Sequence, residues 1–239
     1  MPRFFFSETV GDTFTITGGD ARHIALSLRM RVGDALTVCN GRGTDHFCRI
    51  TALSPDSVTL AVESTAASES EPSVAVTLYQ GLPKGDKLER IVQKAVELGV
   101  SRIVPVVTAR SIAKESARDA KKTARLQKIA NEAAGQSGRG ILPQVETPIS
   151  FAAAAARMAT EKTVVLYEGG GAPLRETLKD APRALSLFVG PEGGIAPDEV
   201  ETLLQNGAQA ATLGPRILRC ETAPIAALAA VMVLTGNME

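Results

Sequence analysis

The pattern of short apolar runs changes once along the chain, between residues 62 and 74, and this change constrains the fold more than any other feature. Four β-prone runs occupy the first 62 residues, separated by turns rich in glycine, asparagine and proline. From Val74 onward, strand-like runs alternate with helical ones. Successive short strands favour a small β-barrel, whereas alternation favours a mostly parallel, helix-covered sheet. A chain of 239 residues is long enough for both, and we expect two domains.

The first part of the chain predicts the barrel and is followed by a change in composition. Its β-prone runs are Phe14–Thr17, Ala35–Cys39, Phe47–Ile50 and Val58–Val62, and His23–Leu28 is its one helical candidate. The segment Glu63–Ser73 is small, polar and acidic, which is typical of a linker. We therefore place the first domain at residues 1–70 and the second at residues 73–239.

The second part predicts an α/β domain. Asp86-Lys-Leu-Glu89 has the spacing of a capping box, with Asp86 as the N-cap. Apolar residues from Leu88 to Leu98 then share one helical face, and Gly99 ends that helix. The predicted strands are Val74–Tyr79, Ile103–Val107, Thr163–Leu166, Leu185–Val189 and Ala208–Leu213, and the further helices are Arg118–Ala134, Phe151–Met158, Pro197–Gln205 and Thr222–Leu234.

The composition argues against several classes of protein. Hydrophobic residues make up 44% and charged residues 22%, so the chain is expected to fold throughout. Three cysteines without a C-x-x-C motif, and two histidines without ligand spacing, predict neither a disulfide scaffold nor a metal site. The N-terminus lacks the apolar stretch of a signal peptide, and Ala223–Leu234 is too short to span a bilayer. We expect a soluble, cytoplasmic protein.

Positive charge is concentrated in the middle of the chain. Lysine and arginine number 26, as do aspartate and glutamate, so the formal net charge is zero. The stretch from Lys84 to Arg139 nevertheless carries an excess of basic residues. Such a stretch is either the solvated face of helices or a surface that binds phosphates, and the sequence leaves both interpretations open.

Three glycine-rich turns follow predicted strands of the second domain, at Glu168–Gly171, Gly190–Gly194 and Gly214–Arg216. Ligands of open α/β sheets bind at the carboxyl ends of strands, where glycine allows close backbone approach. The chain contains no Walker-type motif, no G-x-G-x-x-G after its first α/β strand and no G-x-S-x-G elbow. The turns therefore predict a ligand cleft of a kind other than a P-loop, a standard dinucleotide fold or a serine hydrolase.

Longer motifs around these turns resemble a known family. Gly190-Pro-Glu-Gly-Gly194 and Leu213-Gly-Pro-Arg-Ile-Leu-Arg-Cys-Glu-Thr-Ala223 resemble the two signature loops of the RsmE family, the 16S rRNA uridine-N3 methyltransferases of the SPOUT class. Gln93–Gly99, Glu132–Arg139 and the N-terminal His23–Arg29 are similar to further motifs of that family. The resemblance extends over nearly the whole chain.

The resemblance implies both a fold and an activity. The fold would be an N-terminal PUA-like β-barrel that holds RNA and a C-terminal SPOUT α/β domain with a trefoil knot. The activity would be transfer of a methyl group from S-adenosyl-L-methionine to N3 of one uridine (m3U1498 in the family) in 16S small-subunit rRNA. The expected partners are that rRNA, within an assembled or assembling 30S subunit, and a second copy of the chain, without metal or membrane. Gly135 departs from the family, which usually has Glu there, and glycine weakens a helix by about 1 kcal/mol.

The same resemblance assigns residues to the cofactor and to RNA. The expected cofactor-binding residues are Tyr167, Glu168, Gly190, Pro191, Glu192, Gly193, Gly194, Leu213, Gly214, Ile217, Leu218, Arg219, Thr222 and Ala223. The expected RNA-binding residues are Arg3, Arg22, Arg29, Arg31, Lys84 and Arg139.

Arg219 and Glu221 are the candidate catalytic residues. A guanidinium stays charged at any working pH and would stabilise the uridine anion, whereas Glu221 or Glu192 would accept the N3 proton. Each of these glutamates precedes a predicted helix and would equally serve as a partner of its dipole. Two other functions remain open: an RNA-binding module without transfer activity, and a SPOUT enzyme with another target, such as a ribose 2′-hydroxyl.

Overall fold

A computed structural model describes residues 1–6, 11–112, 120–180 and 182–238, which form two units. The first unit comprises Met1–Glu71 and Ala134–Leu142, and the second comprises Pro72–Ala133 and Pro143–Glu239. The chain thus divides between Glu71 and Pro72, beside the boundary expected from the sequence. The sequence-based division did not assign Ala134–Leu142 to the first unit, because no local sequence pattern indicates that assignment.

Five strands of the first unit form one sheet. They are β1 (Arg3–Phe5), β2 (Thr13–Thr17), β3 (Ala35–Cys39), β4 (Thr44–Ser54) and β5 (Ser57–Ala67), in the order β1-β3-β4-β5-β2. β1 runs parallel to β3, and the other pairs are antiparallel. Phe4 of one edge strand and Ile16 of the other belong to a single hydrophobic core. A sheet whose two edges share one core is curved in the manner of a barrel.

Two expectations for the first unit are wrong in detail. The first residues of the expected linker, Glu63–Ala67, belong to β5, because β4 supplies backbone partners for them as far as Thr44. The candidate helix at His23–Leu28 is a π-helical turn at His23–Ser27, and it follows a short helix α1 (Gly18–Arg22). The amide of Leu28 donates to the carbonyl of His23, five residues earlier, which is the hydrogen bond of a π-helix.

Two ion pairs stabilise the first unit from within. The guanidinium of Arg3 binds both oxygens of Asp45, at 2.7 Å each, and the hydroxyl of Ser68 donates to the same carboxylate. The side chain of Arg139 is 4% exposed, and its Nη2 lies 2.6 Å from Oε2 of Glu71. Glu71 Oε1 also accepts the backbone N–H groups of Gly140 and Ile141. These contacts hold Ala134–Leu142 within the first unit.

The second unit contains eight strands and most of the helices. Its strands are β6 (Ala75–Gly81), β7 (Arg102–Val107), β8 (Gln144–Val145), β9 (Ile149–Ser150), β10 (Thr163–Leu166), β11 (Ala172–Pro173), β12 (Ala184–Val189) and β13 (Gln209–Thr212). Its helices are α2 (Lys87–Glu97), α3 (Ala120–Gln136), α4 (Phe151–Met158), α5 (Leu174–Thr177), α6 (Pro197–Gln205) and α7 (Ala223–Leu234), of which α3 ends in the first unit.

The sheet of the second unit is parallel, as the alternation of strands and helices predicts. Its order is β11-β13-β10-β12-β6-β7-β8, with β9 also paired to β7, and every pairing is parallel. α4 and α6 cover one face, where Met158 and Leu203 pack against Phe188 of β12. Side chains alternate along a strand, so Leu187 and Val189 point to the opposite face, where α7 packs on β12 and on α2.

The capping box expected at the start of α2 is absent. Asp86 makes no side-chain cap hydrogen bond, and the Glu89 carboxylate accepts a hydrogen bond from Arg125 at 2.9 Å. The N–H of Lys84, which lies before this helix and outside the expected box, donates to the carboxylate of Glu192 in a distant loop. Elsewhere the predicted bounds of α4, α6 and β10 coincide with the observed ones. Arg118, the predicted first residue of α3, lies outside the described residues.

Loss of the Arg139–Glu71 pair is expected to destabilise the first unit. In Arg139→Met the Glu71 carboxylate stays buried without its charge partner, which costs about 3–5 kcal/mol. A tyrosine signal would not report on the first unit, because both tyrosines, Tyr79 and Tyr167, lie in the second. Hydrogen exchange of the β4 and β5 amides is therefore the suitable measurement. Arg49→Met is the matched control, since it breaks an exposed pair with Glu63 in the same sheet and is expected to cost far less.

The same pair predicts how the first unit responds to acid. Burial alone would raise the pKa of the Glu71 carboxyl, but hydrogen bonds from Arg139, Ile141 and Gly140 outweigh it and hold that pKa below its ordinary value. A lowered folded-state pKa contributes stability above the ordinary pKa of glutamate, and this contribution is lost as the pH falls through the folded value. The extra protection of the β4 and β5 amides in the wild type over Arg139→Met should therefore shrink as the pH falls through the folded value, because protonation removes the Glu71 charge in both proteins. Identical acid profiles would contradict this assignment.

Candidate functional site

The carboxyl ends of four neighbouring strands build a cavity in the second unit. β13, β10, β12 and β6 are adjacent in the sheet and parallel, so the loops that follow them emerge at one edge. The loops after β10, β12 and β13 are the three glycine-rich turns of the sequence. They line one cavity of about 350 Å³ and a second of about 330 Å³, which share Leu166, Glu168, Ile217, Leu218 and Ala223.

Most of the expected cofactor-binding residues line these two cavities. Glu168, Gly190, Pro191, Glu192, Gly194, Ile217, Leu218, Arg219 and Ala223 line the first, and Tyr167, Leu213 and Gly214 line the second. Gly193 and Thr222 line neither. The Gly193 carbonyl accepts a hydrogen bond from Nη1 of Arg110 at 2.6 Å, and the Thr222 amide donates to the carbonyl of Arg219. Both residues contribute to the shape of their loops rather than to the cavity walls.

Glycines bring the backbones of this region close together. A Cβ atom at Gly190 would lie 2.8 Å from Cγ1 of Ile195, and one at Gly81, the last residue of β6, would lie 2.5 Å from Cδ of Pro191. Gly194 has φ +70°, and its missing Cβ leaves room for the Glu168 carboxylate. Larger residues at these positions would force the loop away from β6 and from the turn after β10 that carries Glu168. The glycines are thus required by the geometry of the cavity wall.

The lining of the first cavity suits a ligand with both apolar and charged parts. Leu166, Val189, Ile217 and Leu218 supply apolar surface, while three carboxylates and two cations supply charge. The carboxylates belong to Glu168, Glu192 and Glu221, and the cations belong to Lys87 and Arg219. Small-molecule sites combine apolar wall with placed polar groups, and this wall has both in similar measure. The excess of one negative charge matches a sulfonium cofactor, which carries a net positive charge.

Arg219 is exposed at the wall of this cavity, in the loop between β13 and α7. Its carbonyl accepts the amides of Thr222 and Ala223, so the start of α7 fixes its backbone. Within the described residues its guanidinium takes part in no ion pair closer than 4.0 Å. The side chain is therefore available to a ligand.

Lys87 is a residue of the cavity that the sequence analysis missed. Its Nζ lies 2.9 Å from Oε1 of Glu192 and 3.5 Å from Oε2 of Glu221. Its hydrogen bond to Glu192 raises the pKa of Lys87, so the ammonium stays charged. Hydrogen bonding from Cys220, together with the charge of Lys87, lowers the pKa of Glu221. No local signal marked Lys87, because it is one of many basic residues in its stretch.

The pKa values of two further groups in the site, the Glu192 carboxyl and the Cys220 thiol, are shifted by their surroundings. Burial alone would raise the pKa of Glu192, but hydrogen bonds from Lys87 and from backbone amides outweigh it and leave that pKa below its usual range. Burial and the hydrogen bond to Glu221 raise the pKa of the Cys220 thiol to about 12. The thiol therefore stays protonated at neutral pH, which makes Cys220 a packing residue and not a nucleophile.

The expected RNA-binding residues fall into two groups. Arg22, Arg29, Arg31 and Lys84 are exposed. Arg3 and Arg139, by contrast, are occupied by the carboxylates of Asp45 and Glu71, and Arg139 is 3% exposed. A buried, paired guanidinium does not reach a phosphate, so the assignment of Arg139 to RNA is wrong, and Arg3 has a structural part in the same interior network.

Many basic side chains of the stretch from Lys84 to Arg139 are ion-paired. Among the described residues of this stretch, seven lysines and arginines contact carboxylates, and most of these pairs lie on helix surfaces. Lys94 with Glu97 and Lys128 with Glu132 are typical cases, at i,i+3 and i,i+4 spacing. The structure thus favours the interpretation of this stretch as solvated, ion-paired helix faces over a continuous phosphate-binding surface.

None of the helices in the described ranges combines the length and the apolar character needed to cross a membrane. No group of three or more histidine, cysteine, aspartate or glutamate side chains in those ranges is arranged to hold a metal ion.

Comparison with known families identifies the class of protein to which this fold and these loops belong. Residues 69–232 match the RNA methyltransferase domain family, and residues 16–63 match the RNA methyltransferase PUA domain. The chain belongs to the RNA methyltransferase family, and the resemblance drawn from its motifs is confirmed.

Individual relatives and solved structures are similar to this chain over nearly its whole length. Ribosomal RNA small subunit methyltransferase E of Bacillus subtilis is 39% identical over 98% of this chain and 97% of its own length. The crystal structure of the protein of that name from Neisseria gonorrhoeae, bound to S-adenosyl methionine, has a TM-score of 0.89 at 34% identity and covers 98% of both chains. A Legionella pneumophila structure described as a methyltransferase in complex with the same cofactor has a TM-score of 0.83 at 28% identity, covering 97% of this chain and 96% of that one.

A side chain at Gly214 is expected to weaken binding of S-adenosylmethionine, the expected cofactor. Gly214 has φ +102° and lines the second cavity, and a β-branched residue adopts that conformation at a cost of roughly 1–2 kcal/mol. If the loop relaxes to avoid this cost, Gly214→Val should lose about tenfold in affinity by calorimetry. Gly207→Val is the control, because Gly207 has φ +90° and equally open surroundings but follows α6, away from the cavity. Equal affinities of the two variants would contradict the assignment.

Proposed function

We propose that the protein is an S-adenosylmethionine-dependent methyltransferase that methylates N3 of one specific uridine in 16S rRNA of the small ribosomal subunit. The observation that carries the proposal is the cavity built by three glycine-rich loops at one edge of the sheet, with Arg219 exposed on its wall. The match of nearly the whole chain to relatives named for this rRNA supports the choice of substrate.

The residues of the cavity fit the cofactor. S-adenosylmethionine, when bound, supplies an electrophilic methyl group on a positively charged sulfur. Leu166, Ile217 and Leu218 offer apolar surface to its adenosine part, and the carboxylates of the wall balance its charge. Backbone groups of the loops Gly190–Gly194 and Leu213–Leu218 would bind its polar edges, since glycine leaves them accessible.

The chemistry requires a proton to leave N3 of the uridine as the methyl group arrives. The N3–H bond breaks, an N3–C bond forms, and the negative charge that develops on the uracil carbonyl oxygens needs stabilisation. Arg219, on the wall of the cavity, would provide it, because a guanidinium is permanently charged and can donate two hydrogen bonds to a carbonyl edge.

The carboxylates of the cavity are poor candidates for a strong base. The pKa of Glu221 is lowered by hydrogen bonds from Cys220 and its own backbone and by the charge of Lys87, and the pKa of Glu192 is lowered as well. A carboxylate with a lowered pKa holds a proton weakly. Of the two, Glu221 is closer to Arg219 in the sequence. We nevertheless favour deprotonation assisted mainly by electrostatics, with water as the final proton acceptor.

The first unit would hold the RNA. Arg22, Arg29 and Arg31 are exposed on the segment around the π-helical turn, and within the described residues Arg29 and Arg31 take part in no ion pair closer than 4.0 Å. Exposed arginines attract the phosphate backbone. We expect the substrate to be the RNA of an assembled or assembling 30S subunit in the cytoplasm, because so small a unit presents little surface for reading a sequence.

A further part of the proposal is that the enzyme is a homodimer of SPOUT domains with a trefoil knot, and helix α7 supports the dimer. The helix contains only apolar residues, yet Val233 is 56% and Leu234 is 42% exposed. A helix that is apolar on every side is normally buried on every side. A second copy of the chain would cover the exposed part.

Two other functions are separated from this one by direct measurement. A non-catalytic RNA-binding module would bind RNA without transferring a methyl group. A ribose 2′-hydroxyl methyltransferase would leave its mark on the sugar. Mass spectrometry of nucleosides from digested 16S rRNA, after reaction with labelled cofactor, should find 3-methyluridine. A 2′-O-methyl nucleoside, or no label, would contradict the proposal.

Removal of the Arg219 guanidinium should slow methyl transfer more than it weakens cofactor binding. If Arg219 acts as one donor to a developing anion, Arg219→Ala is expected to lose roughly 10²–10³-fold in rate. The measurement is single-turnover methylation at saturating cofactor and RNA. Arg102→Ala is the matched control, because Arg102 begins β7 and lies at the amino edge of the sheet, opposite the cavity. A near wild-type rate for Arg219→Ala would remove Arg219 from the mechanism.

Loss of two exposed arginines should weaken RNA binding in a salt-dependent way. Each lost phosphate contact lowers the slope of log affinity against log salt by roughly 0.7–0.9. The double variant Arg29→Gln/Arg31→Gln should therefore show a shallower slope while its affinity for the cofactor stays at the wild-type value. Arg49→Gln removes an exposed arginine of the same unit that is paired with Glu63, and it should leave the slope nearly unaltered. An affinity for RNA that is indifferent to salt would exclude this surface.

A further inference from the structure

We propose that Lys87 is a positioning residue of the methyl-transfer site, because its ammonium joins Glu192 of one cavity loop to Glu221 of the other. The inference rests on the proposed use of the cavity for S-adenosylmethionine and assigns a role to a residue of α2, an element outside the three glycine-rich loops. Lys87 does not need to touch the reacting atoms to have this role.

The contacts of Lys87 are specific to the two loops. Its Nζ is 2.9 Å from Oε1 of Glu192, in the loop that follows β12, and 3.5 Å from Oε2 of Glu221, in the loop that follows β13. β12 and β13 are not neighbours in the sheet, since β10 lies between them. A single side chain from α2 therefore connects two segments that the backbone hydrogen bonds of the sheet do not join directly.

The first loop is held at Glu192 by more than the lysine. Both oxygens of this carboxylate also accept the backbone N–H of Lys84, at 3.0 and 3.3 Å, in the turn that leads into α2. Charge-assisted hydrogen bonds of this kind are stronger and more directional than neutral ones. Glu192 is thereby a fixed point, and Lys87 transmits this fixed position to the second loop.

The second loop depends more on Lys87. Glu221 follows Cys220, whose thiol donates to its Oε2 at 3.2 Å, and precedes the first turn of α7. The side chains of Lys87, Glu192 and Glu221 are each 28–30% exposed, so water screens their attraction only in part. Removal of the ammonium would leave two like charges facing each other at the wall, and the loop that carries Ile217, Leu218 and Arg219 would lose its tie to α2.

The sign of the expected effect separates positioning from simple charge attraction. S-adenosylmethionine carries a net positive charge, so a lysine in the wall repels it through the electric field alone. Replacement of Lys87 by a neutral residue would then strengthen binding. If the lysine positions the loops, the same replacement weakens binding in spite of the more favourable field.

The experiment is calorimetric titration of full-length variants with S-adenosylmethionine. We expect Lys87→Met to weaken binding about tenfold and Lys87→Arg to stay within about threefold of the wild type, because a guanidinium still reaches both carboxylates. In steady-state methylation, KM for the cofactor should rise with the dissociation constant, and the rate at saturating cofactor should fall far less. Lys94→Met is the matched control, since Lys94 lies on the same helix and pairs with Glu97 of that helix.

Two results with Lys87→Met would overturn the proposal. One is an unchanged or tighter affinity for the cofactor, and the other is a loss of affinity that Lys87→Arg does not restore. A wild-type protein that gives no heat with S-adenosylmethionine would instead refute the proposed cofactor, so the two failures are distinguishable.

Lys87→Gln carries the test if Lys87→Met does not fold, as judged by its thermal unfolding. This change also removes the positive charge, and its shorter amide does not join Glu192 to Glu221 as the ammonium does. The field alone would then tighten cofactor binding, whereas loss of the connection between the two loops would weaken it. We expect a weaker affinity, and an unchanged or tighter affinity would overturn the positioning role.

Discussion

Parallel pairing of β13, β10, β12 and β6 is the constraint on which the site depends. These strands come from distant parts of the chain, yet their carboxyl ends meet at one edge because every pairing among them is parallel. β10, β12 and most of β6 are buried, and such strands need helices on both faces. The loops that follow these strands are then the part of the sheet region where polar groups and glycines meet a ligand. The chemistry of the site is thus a consequence of topology before it is a consequence of any one residue.

Local signals predicted the elements whose formation is local. The bounds of α4 and α6 follow from apolar spacing and from start signals, namely the Ser150 hydroxyl, which accepts the amide of Ala153, and Pro197 in the first turn of α6. The expected linker failed at Glu63–Ala67 because a composition typical of loops still forms a strand when a hairpin partner offers its backbone groups. The capping box at Asp86 failed for a related reason: the Glu89 carboxylate that would complete it accepts a hydrogen bond from Arg125, 36 residues later in the chain. In both cases a long-range contact replaced the local one.

The candidate site was predictable to the extent that backbone geometry required particular residues. Glycines at 190, 194 and 214 are needed for close approach or for a positive φ, and such requirements leave a trace in the sequence. Lys87 left none, because a lysine at the start of a helix is ordinary and its two partners lie more than 100 residues away. For Arg139 a sequence signal was present, but the prediction drawn from it was wrong. Its place in a family-like motif suggested RNA, whereas its guanidinium serves to hold the segment Ala134–Leu142 in the first unit.

The distribution of basic residues shows why a charge count alone does not locate an RNA surface. The excess between Lys84 and Arg139 is large in the sequence, yet the structure places many of those cations beside carboxylates, including Glu89, Glu97 and Glu146. An ion-paired side chain can still bind a phosphate only by giving up its partner, so its net contribution to RNA affinity is small. Arg29 and Arg31 differ, since within the described residues neither takes part in an ion pair closer than 4.0 Å. Arg29 ends the motif His23–Arg29 that resembles the family, and Arg31 follows it. These two side chains could bind a phosphate without first giving up a carboxylate of the protein, which is why a search for an RNA surface starts from pairing and not from the number of charges.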